Sequence, residues 1–227
     1  MPRIACALDL PPQEALQLAP RLPELVDVLK IGPQLVLEGK LPELRKLGLP
    51  LFIDLKLHDI PGTVARAIQS LDAQGVSFAT IHLTAGHATL KAAVQAAQSL
   101  QLFGVAVLTH LTPEEQEQLY GAKGWTLLSR LFARGREAGL KGFIVPPWAL
   151  ERARKAFPEA LLAVPGLRWE QEADEHYQTL TPEEAARRGA DLLILGRTLL
   201  RRLNAPDLRE RLAALRQLTP RNTRKTS

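Results

Sequence analysis

The feature that most constrains this chain is a rhythm. Short apolar runs alternate with helix-like segments, and eight such runs stand out: 3–9, 26–32, 49–57, 76–83, 101–109, 141–147, 160–166 and 190–196. Between them lie segments such as "TVARAIQSLDAQG" and "GHATLKAAVQAAQSLQ", with helical spacing of their apolar residues. Gly48, Gly75, Gly139 and Gly189 stand where such helices should stop. Strand–helix alternation argues a parallel sheet. Eight repeats in 227 residues argue that the sheet closes into a (β/α)8 TIM barrel, one α/β domain over residues 1–218. An open doubly wound sheet announces itself with a G-x-G-x-x-G turn, and none is found. The basic tail 219–227, "TPRNTRKTS", carries no apolar period and is expected to be disordered.

Composition narrows the function classes. The chain is 46% hydrophobic and 23% charged, as expected of a globular protein with a sizeable core. The formal charge of +5 comes from residues mixed with Glu along helical segments, the pattern of solvated faces rather than of a nucleic-acid stripe. Aromatic residues make up 5%, few for stacking bases. The single cysteine, Cys6, sits in "IACALDL" and reads as a small buried hydrophobe. No apolar run reaches the roughly 18 residues of a membrane span, and the N-terminus lacks the pattern of a signal peptide. The expectation is a cytoplasmic protein with neither a membrane nor a nucleic-acid partner.

Barrel active sites lie at the carboxyl ends of strands. There the chain gathers its polar residues: Asp9, Lys30, Asp54 to Asp59, His82 to Thr84, Thr109 to Thr112, Pro146 and Pro147, Pro165 to Arg168, and Gly196 with Arg197. The densest group is "FIDLKLHDIPGTV", 52–64. Asp54 and Lys56 are two apart, so a regular strand points both to one face and Leu55 and Leu57 to the other. A buried charge must be paired or neutralised. The pair is either a self-satisfied ion pair or chemistry. Asp59 breaks the alternation just ahead of Pro61, on a turn leaving the strand. His58 reads as a loop histidine satisfied by a neighbour or by solvent.

Other strand ends carry further candidates. Asp9 reads as a helix cap before Pro11 and Pro12, or as a ligand-facing carboxylate. Thr112 reads as the cap of "PEEQEQLYG", with Pro113 at the first helical position and Glu115 completing a capping box. Arg168 follows "PG" after the seventh run, and Gly196-Arg197 opens a helix after the eighth. Loops after the seventh and eighth strands commonly bind phosphate in such barrels, and Arg matches phosphate geometry. An arginine at a helix N-terminus opposes the dipole unless an anion is present.

"DLKLHDIPGTV" resembles the signature of the orotidine 5′-phosphate decarboxylase family, bacterial type. The resemblance extends in order through "ALD", "LKIG", "LTHLT", "VPGLR" and "ILGRTL", nearly the whole chain except the tail. The D-x-K-x-x-D core alone is shared with sister barrels that act on sugar phosphates with Mg²⁺. The H-D-I-P extension is narrower. The resemblance implies decarboxylation of orotidine 5′-phosphate to UMP, the last step of pyrimidine nucleotide synthesis, with no cofactor and no metal. It implies Lys56 as proton donor within an array of Lys30, Asp54, Lys56 and Asp59. It further implies a homodimer, with Asp59 and Thr63 entering the partner's site. Asp9 would contact the ribose and Thr112 the pyrimidine. Arg168, Gly196 and Arg197 would hold the phosphate. The family places a glutamine shortly before the last helix. Here "DEHYQTLTPEE" offers His176, Gln178 or Tyr177 for that role. Gly62 stands where the family usually has a polar residue.

Overall fold

The computed structural model describes residues 1–108, 110–170 and 180–218. The eight expected strands are β1 (Arg3–Ala7), β2 (Val28–Ile31), β3 (Leu51–Leu57), β4 (Phe78–His82), β5 (Gln101–Val105), β6 (Gly142–Ile144), β7 (Leu161–Val164) and β8 (Leu192–Leu195). They form a closed barrel in the order β1 to β8. This is the expected (β/α)8 architecture. Most strands are shorter than their apolar runs, because the ends of a run lie in the turns on either side of the ladder.

Helices begin and end where local chemistry dictates. Pro12, Pro33, Pro61, Pro113 and Pro182 open helices, where the missing N–H removes nothing the helix needs. Gly48, Gly75, Gly139 and Gly189 follow helix ends at φ of +72°, +70°, +99° and +93°, which only glycine adopts without strain. No described helix is long and apolar enough to cross a membrane.

The chain gathers into two compact units, Met1–Leu49 with the residues from Val145 onward, and Pro50–Ile144. In the first, β1 lies between β2 and β8, and β7 flanks β8, all parallel. Ile4, Leu29, Ile31, Leu162, Leu193 and Leu195 are buried in its core. Two carboxylates tie down its strand starts. Asp27, just ahead of β2, accepts the Ile4 N–H at 2.7 Å and the Arg216 Nε–H at 3.2 Å. Asp191, just ahead of β8, accepts the Leu162 N–H at 2.8 Å and is paired with Arg154. The same guanidinium donates to the carbonyls of Pro158, Ala160 and Gly189.

In the second unit β3 to β6 pair in sequence. Phe52, Phe78 and Phe103 pack with ring centroids 5.3 to 6.0 Å apart. Close packing is enforced by glycine: a Cβ on Gly142 would sit 2.9 Å from the Leu102 carbonyl oxygen and 2.8 Å from the Phe103 ring. Here too a carboxylate fixes a loop ahead of a strand, Asp72 accepting the Gln98 N–H at 2.6 Å.

Candidate active site

In the second unit the polar residues gather at the end of β3. Strict alternation runs only as far as Asp54. Ile53 pairs with Ala79, yet the next pair is Leu57 with Ile81, so the strand bulges between them. Lys56 occupies that bulge at φ +49°, the one non-glycine residue with positive φ among the described residues. Its N–H donates to Thr80 Oγ1 at 2.8 Å. The Thr80 hydroxyl donates to Asp54 Oδ1 at 2.9 Å, and Lys56 Nζ donates to the same oxygen at 3.0 Å. Asp54 and Thr80 are buried, while 39% of the Lys56 side chain stays accessible. The two charges therefore meet as expected, but through a bulge rather than through regular alternation.

The turn after β3 exposes His58 and Asp59. The Asp59 carboxylate accepts the Ile60 N–H at 2.6 Å and makes no ion pair among the described residues. The Asp59 carbonyl accepts the Thr89 hydroxyl at 3.1 Å, which pins the turn to the helix His87–Ala96. Thr63 lies half-buried in the first turn of the helix Pro61–Ala73.

His58 does find a neighbour. The Thr84 N–H faces His82 Nδ1 at 3.4 Å, so that nitrogen is assigned its lone pair. The Thr84 hydroxyl then donates to His82 Nδ1 at 2.6 Å and accepts from His58 Nε2 at 3.3 Å. The two rings meet edge to face at 5.5 Å. Burial pushes the His82 pKa down from 6.5 to about 4, with smaller contributions from the neighbouring His58 and Lys56 charges. His82 is neutral at physiological pH.

Thr112 caps the helix Pro113–Tyr120 with the full capping box that its spacing predicts: its hydroxyl accepts the Glu115 N–H and its own N–H reaches the Glu115 carboxylate at 2.8 Å. Thr109 lies outside the described residues.

In the first unit Asp9 and Lys30 come together at 3.7 Å at the ends of β1 and β2. The capping alternative for Asp9 is corrected: the cap of the helix Pro12–Leu18 is Pro11, with no side-chain hydrogen bond. Asp9 instead reaches over Gly32, where a Cβ would stand 3.1 Å from its Oδ1. Cys6 beneath is buried, and its thiol pKa is pushed up to about 12, chiefly by burial. It is inert as a nucleophile.

After β7 the chain turns at Gly166, φ +74°. Arg168 N–H donates to the Leu180 carbonyl at 3.1 Å. Trp169 anchors this segment. Its N–H faces Thr198 Oγ1 at 3.3 Å, its indole N–H donates to Glu183 at 3.0 Å, and Arg202 and Arg211 lie 5.9 and 5.7 Å from its ring centroid. Gly196 precedes the short helix Arg197–Leu200, and Arg197 is exposed. His176, Tyr177 and Gln178 lie outside the described residues.

Thr80, Thr89 and Trp169 were not singled out in the sequence. Thr80 had one signal, a lone hydroxyl inside the apolar strand "FATIH". Among the described residues no three His, Cys, Asp or Glu side chains gather as a metal-binding set. What the β3 end offers is a lysine ammonium fixed by a carboxylate on a partly open strand end. Such a group can stabilise a carbanion and protonate it.

Comparison with known proteins points the same way. The model of the orotidine 5′-phosphate decarboxylase / HUMPS family matches residues 2–211. The orotidine 5′-phosphate decarboxylase of Sphingopyxis alaskensis is 37% identical, over 92% of this chain and 96% of that one. That of Aquifex aeolicus is 33% identical, over 88% of this chain and 91% of its own. Among solved structures, the orotidine 5′-phosphate decarboxylase of Lactobacillus acidophilus superposes with a TM-score of 0.75 at 23% identity, covering 95% of this chain and 98% of its own. At that identity the likeness speaks for the barrel alone.

Proposed function

Because the chain belongs to the orotidine 5′-phosphate decarboxylase / HUMPS family over residues 2–211, we propose that it converts orotidine 5′-phosphate to UMP and CO2, the last step of pyrimidine nucleotide synthesis. The observation that carries this reading is the Lys56–Asp54 contact of 3.0 Å on the bulged end of β3. The bond from C6 to the carboxylate breaks and its electron pair stays on C6. CO2 leaves. The Lys56 ammonium stabilises the developing anion and then transfers one proton to it, becoming a neutral amine that regains a proton from solvent. No cofactor takes part in this scheme. The carboxylate of Asp54 holds the Lys56 ammonium in place before the transfer.

The remaining roles follow the family likeness. Lys30 and Asp59 complete the charge array, with Asp59 and Thr63 supplied to the partner's site in a homodimer. Asp9 and Thr63 hold the ribose, and Thr112 the base. Arg168, Gly196 and Arg197 hold the phosphate, helped by His176 or Gln178. The exposure of Asp59 and its lack of an ion-pair partner among the described residues agree with a carboxylate that completes another subunit's site. We place the enzyme in the cytoplasm, acting without nucleic-acid or membrane partners.

The test is direct. The absorbance of orotidine 5′-phosphate should fall in the presence of EDTA as CO2 forms. Lys56→Ala should retain UMP binding and lose turnover. Turnover that disappears in EDTA would move the chain to the Mg²⁺-dependent sugar-phosphate side of the family, and normal turnover by Lys56→Ala would sink the proton-donor role.

A further inference from the structure

We propose that Thr80 is the positioning residue of this site: its one hydroxyl ties the main chain of Lys56 to the carboxylate that holds the Lys56 ammonium. This rests on the proposed function, because it assigns to Thr80 the placement of the proton donor.

The donor directions are forced. The Lys56 main-chain N–H can only donate, so Thr80 Oγ1 accepts at 2.8 Å. The single hydroxyl proton is then free for Asp54 Oδ1 at 2.9 Å, which in its turn receives Lys56 Nζ–H at 3.0 Å. The result is a closed circuit that runs from the Lys56 N–H to Thr80, to Asp54 and back to the tip of Lys56. It fixes that side chain at both ends. The place where it does so is the bulge, where the β3–β4 register slips and the main chain of Lys56 takes the left-handed conformation. A lysine does not settle there by its own preference. Thr80 is 1% exposed, so no solvent water substitutes for its hydroxyl. Its β-branched form suits the strand and leaves its side chain little freedom to turn away.

A serine carries out the same two hydrogen bonds, and a valine keeps the shape but neither bond. Thr80→Val should therefore lower kcat by about a hundredfold, the usual scale for a displaced catalytic group. It should leave UMP affinity within about threefold, since Thr80 belongs to the proton donor's support and to no proposed contact with the nucleotide. Thr80→Ser should keep both quantities within about threefold of the unaltered chain. A purely structural role would instead lower kcat and UMP affinity together, in step with loss of folded protein.

The measurements are kcat with orotidine 5′-phosphate, the Kd for UMP and the circular-dichroism spectrum of each purified variant. The proposal is overturned if Thr80→Val keeps kcat within threefold, or if kcat and UMP affinity fall together. Should the valine chain fail to fold, Thr80→Ala deletes the same hydroxyl without adding a methyl group and is judged by the same criteria. Failure of both to fold, with Thr80→Ser active, overturns the positioning role in favour of a structural one. The functional reading is judged separately, on turnover by the unaltered chain. The positioning role is judged on ratios between variants.

Discussion

Acidification should weaken this fold through one buried ring. His82 is 8% exposed, accepts two hydrogen bonds at Nδ1 from Thr84, and titrates near 4 instead of 6.5. The folded state therefore binds its proton later than the unfolded chain does. Stability from this source is fully present above 6.5 and is lost as pH falls toward 4. Proton linkage with those two values gives about 2 kcal/mol of lost stability between pH 7 and pH 5 as a ceiling. Residual hydration of the ring brings the expected loss to about 1 kcal/mol. The window matters. Asp72 and Glu151 have lowered pKa values, and their contributions disappear only below their ordinary values of 3.8 and 4.5. Among the described residues, the charged or titratable groups that act on the ring are His58 and Lys56. The comparison is urea unfolding at pH 7 and pH 5, for the unaltered chain and for His82→Asn, whose amide oxygen keeps an acceptor for Thr84. The unaltered chain should lose about 1 kcal/mol more than the variant on acidification. Equal losses in both, or a gain on acidification, would show that His82 is not held neutral by its surroundings.

Three further outcomes follow from the packing and the proposed assembly. Gly142→Ala should cost about 1–3 kcal/mol in urea unfolding, because the added methyl meets the Leu102 carbonyl, which cannot step aside as a side-chain tip can. Arg154→Ala should cost about 2–4 kcal/mol, since its guanidinium serves Asp191 and three carbonyls, and Arg154→Lys should recover little because an ammonium cannot reproduce that fork. Mixing inactive Lys56→Ala and Asp59→Ala chains should restore about one quarter of normal turnover, the fraction of intact sites under random pairing of a two-fold dimer. No recovery, with mixed dimers demonstrated, would count against donation of Asp59 across subunits.

The barrel was legible in the sequence because parallel strands, covered on both faces, are written as continuous apolar runs. Their lengths were overread, since runs such as 141–147 continue past the three residues of β6 into the turn. At the end of β3, Asp54, Lys56 and Asp59 were legible as candidates because charge is conspicuous inside an apolar run. Their support was not. Thr80 reaches Asp54 across 26 positions, and Thr84 reaches His58 across the same span, so both depend on strand register. That register is set by a bulge that strict alternation does not foretell. Asp9 shows how the structure decides between two local readings. Capping preference reads the local sequence and expects a bond to the following helix, whereas the carboxylate answers to Lys30, a strand away.

The left-handed lysine also has an evolutionary consequence. Glycine would rest at φ +49° without strain, so drift toward a sturdier fold favours losing Lys56. That step alone takes the Lys56 ammonium away from the buried Asp54 carboxylate, which it reaches at 3.0 Å. Neutralising Asp54 first withdraws the anion that Lys56 and Thr80 both serve. Each single step is costly, and only the pair of changes removes the strained lysine together with the buried carboxylate it serves. The two positions are therefore locked to one another by epistasis. Copies of this gene freed from selection for turnover should keep both residues or lose both, and should seldom be found with one alone.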